Sequence, residues 1–293
     1  MPIFSRLTVW RQYAYPHRAL NRFSGWVARW HGGKATTAII RWFVRRYGVD
    51  MSEAAQPDIS AYASFNAFFT RHLRPDARPL AQAQWICPVD GAISQLGSIK
   101  GSHIFQAKGH HYTTQALLGG DASMAKQYLD GYFATLYLSP RDYHRIHMPC
   151  AGRLLRMIHV PGDLFSVNPC TAQYVPGLFA RNERLVCEFE SEFGRFVMVL
   201  VGAAIVGSMA TVWHGIVNTE RPQKVREWAY DRERIDLAQG QEMGKFLLGS
   251  TVVLVWPNKS DQVLQFAPHW CADATVRMGQ AMAQYKLNDM QHG

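Results

Sequence analysis

Before Asp50 the chain has no acidic residue, while nine basic ones occur there: Arg6, Arg11, Arg18, Arg22, Arg29, Lys34, Arg41, Arg45 and Arg46. The other 22 basic residues are matched by 22 acidic ones, so the net charge of +9 resides in the first 49 residues. Such an asymmetry calls for a partner of negative charge. Cysteines are few and scattered (Cys87, Cys150, Cys170, Cys187, Cys271), odd in number and without a CxxC pair. That speaks against a disulfide framework and for a reducing compartment. The N-terminus lacks the uninterrupted apolar stretch of a secretory signal. No phosphate-cradling P-loop, GxGxxG, internal repeat or low-complexity tract occurs. Long apolar runs are also scarce. Residues 196–213 carry no charge, but Gly202, Gly207 and Ser208 punctuate them, which predicts two buried strands joined by a turn and no transmembrane helix. With 48% apolar and 18% charged residues, the chain is globular in composition.

What the basic segment does contain is tryptophan: Trp10, Trp26, Trp30 and Trp42, four of the nine. Leu20, Phe23, Trp26, Val27 and Trp30 recur at helical spacing up to Gly32-Gly33. A second stripe, Ile39, Ile40, Trp42, Phe43 and Tyr47, runs to Gly48 with arginines interleaved. Two amphipathic helices of this character suit an anionic membrane interface. Ordinary surface helices packed on the body, or a nucleic-acid surface, are the competing readings. After a polar linker at Met51–Pro57, the expected division is 1–57 as a basic membrane-associating segment and 58–293 as a globular domain, the candidate for any catalysis.

Within that domain, residues 64–75 predict a short helix ended by Pro75. Residues 85–107 predict strands with a turn at Pro88-Val89-Asp90-Gly91, 112–130 a helical region, and Tyr132–Leu138 a strand. His144, His147 and Cys150 have the spacing of a zinc set but lack a fourth ligand, so no metal is expected. Residues 220–242 are charged and read as an exposed loop or flap. Many short strands and few long helices indicate an α+β fold, a mostly antiparallel β-sheet body with amphipathic N-terminal helices.

The run Phe246–Trp256 is apolar and broken at its centre by Gly249-Ser250, which reads as strand, bend, strand. A serine hydroxyl at such a bend sits beside the carbonyl of a residue with no Cβ. If the backbone is strained there, Ser250 attacks the Gly249 carbonyl, the acyl group moves from nitrogen to oxygen, and elimination cuts the chain. The dehydroalanine left behind hydrolyses to a pyruvoyl group. Gly-Ser also occurs at 97–98, 101–102 and 207–208, so the dipeptide alone is turn chemistry. Asp90, His147 and Ser250 are the three residue types of a nucleophilic triad. The surroundings of Ser250 lack the second glycine of G-x-S-x-G. Residue pattern alone leaves two enzymatic readings open, a membrane-associated serine hydrolase acting on lipids and a self-processing enzyme. A non-catalytic basic binding module for membrane or nucleic acid stands against both.

Eight segments in order, FNAFFTR (65–71), PVDG (88–91), YHRIHMP (143–149), PGDLFSVN (161–168), FARNER (179–184), GQEMGKF (240–246), LGST (248–251) and VRMGQ (276–280), resemble the phosphatidylserine decarboxylases in their membrane-bound bacterial form. The likeness covers nearly everything from about residue 60 to 282, with no departure at the reactive positions; the first 50 residues match in character only. The resemblance implies self-cleavage between Gly249 and Ser250 into a β chain, 1–249, and an α chain, 250–293, headed by a pyruvoyl cofactor derived from Ser250. It implies that neither pyridoxal phosphate nor metal is used. Asp90, His147 and Ser250 match the family's processing triad, with His147 as base, and His144 matches a histidine of the decarboxylation step, here expected to donate the proton. The implied partners are phosphatidylserine and an anionic membrane surface, not nucleic acid. The implied assembly is the β/α pair, with homo-oligomers left open, and the implied place is the cytoplasmic face of the bacterial inner membrane, peripherally bound.

Overall fold

Strand Ser250–Trp256 is a run of β-branched and aliphatic residues, and all seven are buried. Its alternation explains this: Val252, Leu254 and Trp256 enter one core, Val253 and Val255 the other. In the computed structural model, which describes residues 24–203, 208–218, 223–247 and 249–288, this strand is internal to a nine-stranded sheet. It pairs with Tyr132–Leu138 on one side and Gly194–Val201 on the other. Beyond Gly194–Val201 lie Arg184–Ser191, Gly152–Val160 and Arg226–Ala229; beyond Tyr132–Leu138 lie Gly91–Ser98 and Thr275–Val276. All these pairings are antiparallel.

Two smaller sheets cover one face. The first joins Trp85–Ile86, Ala281–Leu287 and Gln262–Phe266; the second joins Gly215–Ile216, Met209–Thr211, Glu242–Phe246 and Arg145–His147. Trp85, Ile146, Phe196, Phe246 and Trp256 fill the space between. Short helices (Thr114–Leu117, Ala122–Lys126, Pro169–Tyr174, Leu178–Arg181) and the hairpin His103–Thr113 cover the other face over Tyr128, Phe133, Phe179 and Val199. The α+β body with mostly antiparallel sheet is therefore as read from sequence.

Local departures have local causes. The helical region at 112–130 is two short helices, because Gly119 and Gly120 both take positive φ and Asp121 caps a new start. The helix at 64–75 stops at Phe69, well before Pro75. The flap at 220–242 contains two strands, Arg226–Ala229 and Asp236–Leu237, both paired to Gly152–Val160.

At the N-terminal side, residues 24–29 are helical and a helix spans Lys34–Tyr47, ended by Gly48 in the left-handed conformation. Ile40, Phe43 and Val44 share one face and pack on Phe68 and its neighbours. Ile39 and Trp42 face out, as do Trp26 and Trp30. Leu20, Phe23, Trp10 and the basic residues before position 23 lie outside the described residues, as do residues 204–207, where the sequence predicts a turn, and Leu248.

Candidate active site

Ser250 enters the central strand directly after the bend and lies opposite Leu138. It is 1% exposed, and its Oγ has no hydrogen-bond partner among the described residues. A buried hydroxyl without a partner costs about 1–3 kcal/mol, so such an atom asks for a functional reason. Gly249 lies outside the left-handed region, and a Cβ placed on it would meet nothing within 4 Å. The strain anticipated at the bend is thus absent from the φ of Gly249. What is open at Gly249 is the space where a side chain would stand.

The chain reaches this bend along Glu242–Phe246, which runs antiparallel to Arg145–His147. The Phe246 N–H donates to the His144 carbonyl at 3.0 Å, so the bend spans from His144 to Leu138. The loop between them, Ser139–Tyr143, closes on itself. His144 Nε2 donates to the Ser139 carbonyl at 3.1 Å, and the Ser139 N–H donates to Asp142 Oδ2 at 2.7 Å. A carbonyl only accepts, which puts the His144 proton on Nε2 and leaves a lone pair on Nδ1. That Nδ1 is buried and unpartnered among the described residues. The ring is fully buried and stacks on Phe69, centroids 4.1 Å apart. Burial, with the charge of Arg71 adding to it, pushes the imidazole down to about 3. In the uncut chain His144 is therefore neutral, with an accepting lone pair at Nδ1, and does not hold a spare proton near neutral pH.

His147 has the opposite tautomer. Its Nδ1 donates to the Gly240 carbonyl at 2.8 Å, while Nε2 accepts from the Tyr143 hydroxyl at 3.0 Å. Burial holds it below the usual histidine range. Asp90, also buried, is gripped by Arg78 through Nε and Nη2 at 2.9 and 2.5 Å and accepts the Met278 N–H at 2.9 Å. Arg78 continues to Glu53 at 2.7 Å, and Glu53 to Arg277 at 2.9 Å.

The four predicted residues accordingly share one region without forming a bonded triad. Asp90 and His147 lie close, the His147 N–H donating to the carbonyl of Pro88, but their side chains bond elsewhere. Ser250 bonds to neither histidine. Cys150 is a core residue whose thiol is pushed up to about 12 by burial, far from thiolate chemistry. Sequence reading gave no role to Phe69, Asp142, Tyr143 or Arg78. Phe69 and Tyr143 sit in segments already singled out, FNAFFTR and YHRIHMP, and Asp142 directly precedes the second, so the signal was present without a way to divide the labour.

A sequence model described as phosphatidylserine decarboxylase matches residues 65–284. The chain belongs to the phosphatidylserine decarboxylase family. A second model, described as PSD, matches residues 7–48, so the basic N-terminal stretch also has a counterpart where the residues showed likeness only in character. Proteins named phosphatidylserine decarboxylase proenzyme are similar over most of their length. That of Methylibium petroleiphilum is 66% identical over 278 residues, covering 95% of this chain and 97% of its own. Those of Azoarcus sp. (64%; 94% and 95%) and Albidiferax ferrireducens (63%; 96% and 98%) are alike in extent. The shared family makes the chain a decarboxylase, and the proenzyme name of the relatives speaks of processing.

Proposed function

We propose that this chain decarboxylates phosphatidylserine to phosphatidylethanolamine, using a pyruvoyl group made from its own Ser250. The observation that carries the reading is the buried Ser250 hydroxyl, unpartnered among the described residues, directly after a glycine whose side-chain position is open, within a chain of this family. Attack of Oγ on the Gly249 carbonyl forms an ester and frees the Ser250 amine. Removal of the Ser250 α-proton then breaks the Cβ–O bond, releasing the Gly249 carboxylate. Dehydroalanine remains, and water converts it to the ketone with loss of ammonia.

Both steps need a base, and this region offers two neutral imidazoles with lone pairs. His147 is the processing base, its Nε2 reached through the Tyr143 hydroxyl and its tautomer fixed by Gly240. Asp90, held by Arg78, keeps negative charge near it. A pyruvoyl group at position 250 supplies an electron-withdrawing carbonyl that accepts the electrons of the breaking carbon–carboxylate bond. His144 carries protons in turnover: its free Nδ1 takes one up once the cavity admits substrate and water, and returns it to the carbon that has lost carbon dioxide. No metal or pyridoxal phosphate enters this scheme.

The exposed tryptophans and the arginines of the N-terminal helices lie against an anionic bilayer and hold the site at headgroup depth, in a bacterium on the cytoplasmic face of the inner membrane. Each basic residue at such a surface contributes about 1 kcal/mol. No described helix is long and apolar enough to cross a membrane. On this reading, residues 1–57 serve attachment and 58–293 catalysis, although Lys34–Tyr47 also packs on the body.

The test compares wild-type protein with His144→Ala on phosphatidylserine vesicles, following carbon dioxide and phosphatidylethanolamine. The variant is expected to be cut normally and to turn over at least about 100-fold more slowly. An uncut His144→Ala chain would move His144 into the processing step. Release of fatty acid by an intact wild-type chain would replace decarboxylation with hydrolysis.

A further inference from the structure

Arg71 carries a charge that no carboxylate answers at ion-pair distance among the described residues. The residue is 4% exposed. Its Nη2 donates to the Arg141 carbonyl at 3.2 Å, its Nε is buried with no partner, and the guanidinium carbon lies 5.5 Å from the Phe68 ring centre. Burial lowers the pKa of this side chain. A buried guanidinium with an unused donor is costly unless an anion completes it.

Space for that anion exists. Arg71 lines a cavity of about 320 Å³ together with Asp90, Arg141, Asp142 and Tyr143. The acids around it are engaged elsewhere: Asp90 with Arg78, Glu53 with Arg78 and Arg277, Asp50 with Ser52, and Asp142 with the Ser139 N–H. Burial also raises the Asp142 carboxyl, which weakens its claim on a cation. The cavity adjoins the reactive region, because Tyr143 bonds His147 and Phe69, two residues before Arg71, stacks on His144.

We infer that Arg71 binds an oxyanion of the serine headgroup, either its carboxylate or its phosphodiester. A guanidinium fork matches both. The inference rests on the reading of the chain as a phosphatidylserine decarboxylase and adds the residue that grips the substrate.

The experiment uses full-length wild type, Arg71→Met, Arg71→Lys and Arg153→Met. The last removes the same charge from an exposed arginine paired with Asp236. Mass spectrometry scores cutting, and kinetics give KM and kcat for phosphatidylserine, with phosphatidylethanolamine as inhibitor. Arg71→Met is expected to raise KM roughly 10- to 100-fold and Arg71→Lys less, while Arg153→Met matches wild type. Phosphatidylethanolamine inhibition weakened in step assigns the phosphodiester, and inhibition left unchanged assigns the carboxylate. An unchanged KM in Arg71→Met overturns the inference.

Should neither Arg71 variant be cut, phenylglyoxal labelling of wild type decides the matter. Arg71 shielded by glycerophosphoserine supports the inference, and equal labelling with and without it overturns it. A wild-type chain that does not consume phosphatidylserine refutes the functional reading itself, which the variants do not touch.

Discussion

Arg78 is the hinge of a charged chain running Asp90–Arg78–Glu53–Arg277, and its replacement by methionine isolates Asp90. The Arg78 and Asp90 side chains are 6% and 10% exposed, so water does little to solvate what is left. Asp90 would keep only the Met278 N–H, and Glu53 would keep Arg277. Breaking a buried pair from one side costs about 3–5 kcal/mol, because the remaining charge stays buried. The measurement is urea unfolding followed by tryptophan fluorescence, in a Ser250→Ala background that keeps one covalent chain. Arg78→Met should lose about 3–5 kcal/mol. Arg78→Met/Asp90→Asn, which removes the stranded charge as well, should recover at least about 1 kcal/mol of it. An Arg78→Met chain within about 1 kcal/mol of its parent, or a double variant no more stable than the single, would refute the reasoning.

Three further outcomes follow from the same geometry. His144 has its pKa near 3 in the fold against 6.5 when unperturbed, so between those values the unfolded chain binds a proton that the folded chain does not. Stability of the Ser250→Ala chain should therefore fall as pH drops from about 6.5 towards 3, by up to ~1.4 kcal/mol per pH unit from this ring alone. His144→Phe should flatten that slope, and equal slopes would contradict the assignment. Gly249→Ala has room for its methyl group, so stability should change by less than about 1 kcal/mol. Its cleavage, timed on a denaturing gel, should slow about tenfold or more as the approach to the carbonyl is crowded; an unchanged rate would sink the access argument. Trp26→Ser/Trp42→Ser should reduce flotation with anionic vesicles while leaving the fold intact, and undiminished flotation would refute the interfacial role. Deleting residues 1–49 is a poorer test, since it strips Ile40 and Phe43 from Phe68 and Phe69.

Strand existence was legible wherever β-branched runs stood between turn residues, as at Phe246–Trp256 and Tyr132–Leu138. The internal position of Ser250–Trp256 was not, because its neighbours are set by pairing with residues more than fifty positions away, Leu200 and Leu136 opposite Val252. The site behaves the same way. Residue types and order pointed to Asp90, His147 and Ser250, and the family resemblance added His144. The state of each ring depended on distant acceptors: the Gly240 carbonyl, 93 residues along, fixes the His147 tautomer, and burial under Phe69 removes the His144 charge. Arg78 gave no sign of binding Asp90, since a salt bridge across a fold leaves no local pattern. The amphipathic stripe at 39–47 was visible, but which of its apolar residues face the body depended on Phe65–Phe69 docking against it.

The most direct measurement is the intact mass of freshly purified protein beside a Ser250→Ala variant. The account predicts that the 33.2 kDa chain is replaced in wild type by two fragments. The smaller spans residues 250–293 and bears a ketone in place of its N-terminal amine, and the variant stays whole. A single uncut chain in both samples would contradict the claim that Ser250 becomes the reactive group.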